Sequence, residues 1–209
     1  MAFKLIKQEV GPWPMNTYLL IDEVTNTSVI IDPGAEAARI LSSAESTRVA
    51  AIFVTHGHAD HVGVLEEVRS ATKAPVYMNP IDAEGFQLQF DLPLLDGQRT
   101  PLGSQQLRAI HTPGHTPGMT CLDLGDGRIL VGDTIFVGGP GKTWSSEDFA
   151  TTMATMQQIV FAWPDETRFY PGHGSSGVIG QERPAFEAFV AHGWSPELHG
   201  DVTWAQKDE

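Results

Sequence analysis

The chain has 209 residues, which fits one hydrophobic core, since such cores stop growing at about 250–300 residues. A formal net charge of −13 repels nucleic-acid phosphates and anionic lipid, so neither is expected as a partner. The lone cysteine, Cys121, excludes an internal disulfide and suits a reducing cytoplasm.

The opening MAFKLIK holds no long apolar run, so no signal peptide and no membrane-spanning helix are expected. Residues 17–22 (TYLLID) and 28–32 (SVIID) read as strands, the second ending at Pro33-Gly34. A helix is predicted over 36–44. Residues 49–55 (VAAIFVT) form a continuous apolar run, the pattern of a strand covered on both faces. A second helix is predicted over 61–70, with Val62, Leu65 and Val68 on one face, then a short strand at 75–78. Residues 91–104 are rich in Pro and Gly and read as turns. Strands follow at 106–111, 119–124 and 128–132, the last two joined by the tight Gly125-Asp126-Gly127 turn. Cys121 falls in one of these strands and reads as a packing residue. Ser145 or Ser146 is placed to cap a helix running to about Phe161, with Glu147 and Asp148 in its first turn. A strand at 168–170 and a helix at 184–192 end the periodic part, and a polar tail begins near Ser195. Interleaved strands and helices, with hairpins as well as crossovers, point to sheet packed on sheet with helices outside.

The segment Thr55-His56-Gly57-His58-Ala59-Asp60-His61 stands where an apolar strand gives way to a helix. Extended residues at i and i+2 face the same way, so His56 and His58 can grip one ion. Asp60 and His61 sit where the chain turns and can face a second. A chance surface cluster is the plain alternative, but three of only eight histidines gather here, which favours metal. These four residues cannot complete two sites of about four ligands each. His115, in the turn Thr112-Pro113-Gly114-His115-Thr116-Pro117-Gly118, Asp133 after Val131-Gly132, and His173 in Pro171-Gly172-His173-Gly174 all follow predicted strands. One rim of the sheets is therefore expected to present all seven.

Together these motifs resemble the metallo-β-lactamase superfamily, and within it the glyoxalase II (hydroxyacylglutathione hydrolase) branch. The resemblance runs from about Asn16 to His173 and implies an α/β fold, a four-layer αββα sandwich. It further implies that His56, His58 and His115 hold one metal, that Asp60, His61 and His173 hold the other, and that Asp133 bridges them. Two divalent ions, zinc first and iron or manganese as alternatives, are the expected cofactors. Ions about 3.5–4 Å apart can share one hydroxide at neutral pH, which would attack the carbonyl of a small-molecule acyl substrate, a thioester or related ester.

Asp32, in Ile31-Asp32-Pro33-Gly34, resembles the superfamily's strand-end acid beside the metals and can orient a ligand His; a plain Asp-Pro-Gly turn accounts for it equally well. Gly138-Gly139-Pro140-Gly141-Lys142-Thr143 imitates a nucleotide P-loop but carries Phe136 where the motif needs its first Gly. In the glyoxalase II pattern, Lys142 matches a lysine that contacts substrate, and Trp144 stands where the family often has Tyr. Lys142 is expected to bind an anionic part of the substrate. The branch's long helical C-terminal domain has no counterpart in the short stretch after His173. His111, His192 and His199 are read as structural or solvated. Other activities on the same fold are a lactonase, a β-lactamase or a mononuclear iron persulfide dioxygenase. The oligomeric state stays open.

Overall fold

In a computed structural model, residues 3–204 of the chain are described. One sheet contains β1 (Lys4–Val10), β2 (Met15–Asp22), β3 (Thr27–Ile31), β4 (Arg48–Val54), β5 (Val76–Met78) and β6 (Leu92–Pro93), side by side in that order. The other holds β7 (Arg99–Leu102), β8 (Gln105–His111), β9 (Thr120–Asp123) and β10 (Arg128–Gly132). After a small hairpin, β11 (Ile135–Phe136) and β12 (Gly139–Pro140), it gains β13 (Arg168–Pro171) parallel to β10, then the edge strand β14 (Gly177–Val178).

Period-two alternation sorts the side chains into layers. On β2, Tyr18 and Leu20 point between the sheets, where they join Phe53, Leu122 and Leu130. Their neighbours Leu19 and Ile21 face the opposite side, with Ile40 of α1 (Ala37–Ala44) and, beyond α2 (Ala59–Val62), Leu65 and Val68 of α3 (Leu65–Thr72). β4 is buried on both faces, Phe53 inward and Ile52 and Val54 outward, as its continuous apolar run predicts. Past α4 (Pro80–Gly85), the far layer is α5 (Ser146–Gln158) and α6 (Ile179–His192), whose Phe149, Met153, Phe186 and Phe189 cover Ile129 and Val131 of β10. Four layers in the order αββα result. Among the described residues no helix is long and apolar enough to cross a membrane.

Several boundaries differ from the sequence expectation. The helix expected over 61–70 breaks at Gly63, whose α-carbon packs against the carbonyl of Gly34 with no room for a side chain; Val64 N–H then bonds Pro33 O at 3.1 Å. The last helix starts at Ile179 rather than Pro184, because Ile179, Glu182, Phe186 and Phe189 form one buried face at helical spacing. That face outweighs the single hydrogen bond lost at Pro184. The turns expected over 91–104 contain β6 and β7, and α4 and β1 carry too few apolar residues to announce themselves. Ser145 is the cap of α5, its Oγ accepting from Asp148 N–H at 3.1 Å.

Residues 195–204 do not form a solvent-facing tail. Leu198 and Val202 pack on the core that α5 and α6 form over β10, and Trp204 is buried against Phe161, Phe186 and Phe189. Three widely spaced apolar residues have no periodicity for a pattern search to find. Residues 205–209 of that expected tail lie outside the described residues.

Candidate metal centre

All seven expected ligands meet at one rim of the sandwich, where β4, β8, β10 and β13 end. Two cross-links bring those ends together: Thr120 N–H to Thr55 O at 3.0 Å, and Gly172 N–H to Gly132 O at 2.8 Å. Gly132 has φ +47°, which turns the chain so that Asp133 enters the centre; a side chain there would strike Thr55 and Met119. Gly172 lies so close to the Asp133 carboxylate and the His61 ring that a Cβ would overlap both.

The donor atoms fall into three overlapping groups, each with its atoms within 4.8 Å of one another: His56, His58 and His115; His56, His61 and Asp133; Asp60, His61 and His173. Asp133 Oδ2 lies 3.5 Å from His115 Nε2, 3.7 Å from His173 Nε2 and 4.0 Å from His56 Nε2, while Oδ1 lies 3.4 Å from His61 Nε2. His58 Nδ1 and His115 Nε2 are 3.0 Å apart, and His173 Nε2 is 3.1 Å from Asp60 Oδ2. Ligand atoms about 2.0–2.1 Å from one tetrahedral ion sit about 3.3 Å from each other, so these separations suit ions. Without one, His56 Nε2, His61 Nε2 and Asp133 Oδ1 are buried with no hydrogen-bond partner, at a cost of about 1–3 kcal/mol each. The donor set fits divalent metals.

In four of the five rings the remaining nitrogen is held from behind. His61 Nδ1 donates to Asp32 Oδ2 at 3.0 Å, His115 Nδ1 to Lys142 O at 2.8 Å, and His173 Nδ1 to Pro14 O at 2.9 Å. His56 Nδ1 donates to Thr55 Oγ1 at 3.1 Å, and that hydroxyl donates on to Asp32 Oδ2 at 2.7 Å. Such partners fix each ring's tautomer and direction.

This fold matches known proteins. A sequence profile of the metallo-beta-lactamase superfamily covers residues 10–195. The chain belongs to the metallo-beta-lactamase superfamily. An uncharacterized protein of Aquifex aeolicus is 34% identical over 91% of this chain and 97% of its own length. "Probable polyketide biosynthesis zinc-dependent hydrolase BaeB" of Bacillus velezensis is 31% identical over 81% of this chain and 77% of its own. A hydroxyacylglutathione hydrolase of Alkalilimnicola ehrlichii is 34% identical over 75% of this chain, which spans 60% of that protein. Among solved structures, ETHE1 from Myxococcus xanthus superposes with a TM-score of 0.77 at 28% identity, covering 91% of this chain and 85% of that one. TTHA1623 in a di-iron-bound form gives 0.71 at 28%, covering 85% and 96%.

In this superfamily member the electrostatics divide the centre in two. Burial, aided by the neighbouring rings, holds the His56 imidazole well below an ordinary one, and His115 below it as well. His58 is pushed down to about 4, chiefly by burial. These three are neutral at pH 7. For His61, burial opposes the charge but Asp133 and Asp32 outweigh it, and the ring keeps its proton. The hydrogen bond to Asp60 raises His173 and draws Asp60 down to about 2. Burial works against the Asp133 carboxylate, yet His61 leads the rings that keep it ionised.

Asp32 sits behind two of the rings, buried and at φ 51°, with Thr55 N–H on its other oxygen at 2.7 Å. The sequence reading missed Asp82. From the first turn of α4, this buried carboxylate accepts from Gly57 N–H at 3.1 Å, Gly118 N–H at 2.6 Å and Thr116 Oγ1 at 2.7 Å. It thereby ties the loop of His56 and His58 to the turn of His115. Asn79-Pro80-x-Asp82 is a helix-start signal, with Asn79 Oδ1 capping Ile81 N–H at 3.0 Å, but nothing in it announces the tie. Asn16 plays a similar part for the His173 loop, donating to Pro171 O at 2.9 Å and Gly174 O at 3.0 Å.

Trp144 lies at the mouth, its ring centroid 5.1 Å from that of His58 and 5.3 Å from that of His115. Lys142 is also at the mouth, with its Nζ 3.5 Å from Asp201 Oδ2. His111 stands apart, donating to Pro117 O at 2.8 Å, and His192 and His199 are exposed. Cys121 is buried, and burial raises its thiol to about 11.

Proposed function

We propose that the protein is a hydrolase with two divalent metal ions that cleaves thioesters or related activated esters. One observation carries the reading: the Asp133 carboxylate faces His115 and His173 with one oxygen and His61 with the other, and so lies between the two ligand groups. His56, His58 and His115 would hold one ion, Asp60, His61 and His173 the other, with Asp133 reaching both. Bound there, the ions would supply water acidified into the neutral range and Lewis-acid polarisation of a carbonyl oxygen.

The chain supplies the rest. Asp32, Thr55, Pro14 and the Lys142 carbonyl hold the ligand rings in one orientation. A cleft of about 600 Å³ opens onto the centre and admits the acyl group. Outside the ligand set, Lys142 and Asp201 are the only titratable side chains among the described residues lining it, and they pair with each other. No free acid therefore stands ready to protonate an amine leaving group. A thiol, with a pKa of about 8.5, leaves as thiolate without one, which ranks thioesters above amides.

Imidazole and carboxylate donors accept zinc, iron and manganese. Zinc comes first here, in keeping with the name of the Bacillus velezensis relative, and iron second, in keeping with the di-iron-bound neighbour. The test is metal analysis with anomalous diffraction, followed by kcat/KM on matched thioester, lactone, β-lactam and persulfide substrates. Two ions per chain and a thioester preference are expected. One iron per chain with persulfide oxidation, or a clear β-lactam preference, would overturn the reading.

A further inference from the structure

Residues 200–204 form one wall of the cleft. Gly200 and Thr143 exchange backbone hydrogen bonds at 3.0 and 3.2 Å, and Trp204 N–H donates to Gly138 O at 2.7 Å. The buried Trp204 ring, set among Phe161, Phe186 and Phe189, anchors the far end. Clamped at both ends along the loop of Gly138–Thr143, the segment turns Asp201, Val202 and Thr203 into the cleft lining.

Two properties of the cleft follow. First, its wall beyond the ligands is apolar: Phe136, Val137, Pro140, Trp144 and Val202. Val137 and Trp144 are 55% and 54% exposed, and Phe86, also exposed, sets its ring 5.2 Å from that of His58. Large apolar side chains left in water around a concave site mark a surface that an apolar ligand covers. Second, Lys142 is the one Lys or Arg among the described lining residues, and Asp201 stands 3.5 Å from its Nζ. An anionic substrate arm must therefore compete with a resident carboxylate for the cation, in a protein whose net charge is already −13.

We propose that the cleft takes thioesters with an uncharged, apolar arm, and that the segment 200–204 selects them, Val202 by covering the arm and Asp201 by neutralising Lys142 against anionic arms. This rests on the thioester reading above and reverses the expectation that Lys142 binds an anion.

Binding of non-hydrolysable thioethers separates the two ideas. S-alkyl-N-acetylcysteamine (neutral) and S-alkylglutathione (anionic), from butyl to octyl, are titrated into the zinc-loaded protein by calorimetry at low salt. The neutral series should bind tighter, with affinity rising about threefold to fourfold per methylene, the gain for burying a CH₂. Both partners of the Lys142–Asp201 pair are largely exposed, so Asp201→Asn should shift the neutral-to-anionic ratio toward glutathione by only about twofold to fivefold. Asp201→Lys should shift it further, and added salt should shrink both shifts. Adding Lys142→Ala to Asp201→Asn should cancel the gain. A flat chain-length series, equal or tighter binding of S-alkylglutathione by the wild type, or a ratio unmoved by Asp201→Asn and Asp201→Lys would each overturn the proposal. If the thioethers bind as expected but hexanoyl-N-acetylcysteamine is not hydrolysed, the cleft assignment stands and the thioester reading fails.

Discussion

Asp82 offers a sharp test of how the centre is assembled, because it touches no metal ligand side chain and yet joins two ligand loops. Replacing it with Ala leaves Gly57 N–H and Gly118 N–H without their acceptor. The Thr116 hydroxyl can rotate toward another partner, so the two backbone donors set the magnitude. At about 1–3 kcal/mol for each buried donor left unsatisfied, the loss is about 2–6 kcal/mol, a large share of the about 5–15 kcal/mol that holds an ordinary domain together. Asp82→Asn keeps one carbonyl oxygen and should lose less. Urea unfolding of the metal-free protein should show the Ala midpoint falling by about 1 M or more, given an m-value of about 2–3 kcal/mol/M. Any part of the loss borne by the loops rather than the global fold appears as weaker metal binding, about tenfold per 1.4 kcal/mol, read by chelator competition. An Asp82→Ala protein with the wild-type urea midpoint and the wild-type metal affinity would refute the assignment.

Three further outcomes follow from the same geometry. Asp133→Asn removes the charge between the two ligand groups; metal content should fall from two ions toward one per chain, and kcat by more than about 10²-fold, beyond what loss of an outer partner costs. Normal turnover in a fully loaded variant would contradict the bridging role. Asp32→Asn should weaken metal binding by about 10–100-fold through the His61 and Thr55–His56 contacts; an unchanged affinity in chelator competition would reduce Asp32 to a turn residue. Metal loading should also depend on pH more steeply at one group than at the other. His61, raised to about 10 by Asp133 and Asp32 against the effect of burial, carries a proton at neutral pH in the metal-free protein, and the hydrogen bond to Asp60 raises His173 as well; a ligand must shed its proton. Affinity at their group should therefore climb with pH, about tenfold per unit for each proton displaced. His56, His58 and His115 are lowered, His58 to about 4, so at neutral pH their group should release fewer protons on loading than the other. Calorimetry in buffers of different ionisation enthalpy distinguishes the two, and equal proton release at both groups would be the wrong result.

That seven residues would gather at one rim was legible in the sequence because metal chemistry favours His and Asp, and because each follows a strand whose apolar pattern ends at a Gly-rich turn. The layer order was legible for the same kind of reason: strands buried on both faces need partners on both sides. Asp82 was not, since an Asp near a helix start is ordinary until the fold brings Gly57, Thr116 and Gly118 to its oxygens. Asp32 stood undecided between a turn and a ring partner, and only the approach of His61 to 3.0 Å gives it a ring to hold. The last segment shows the limit most clearly. Leu198, Val202 and Trp204 are too far apart to mark any repeating face, and Asp201 looks like one more surface acid. Burial of a single indole among Phe161, Phe186 and Phe189 carries that segment back across the cleft and sets a carboxylate against Lys142, because contacts between residues distant in sequence are created by packing and leave no local pattern behind.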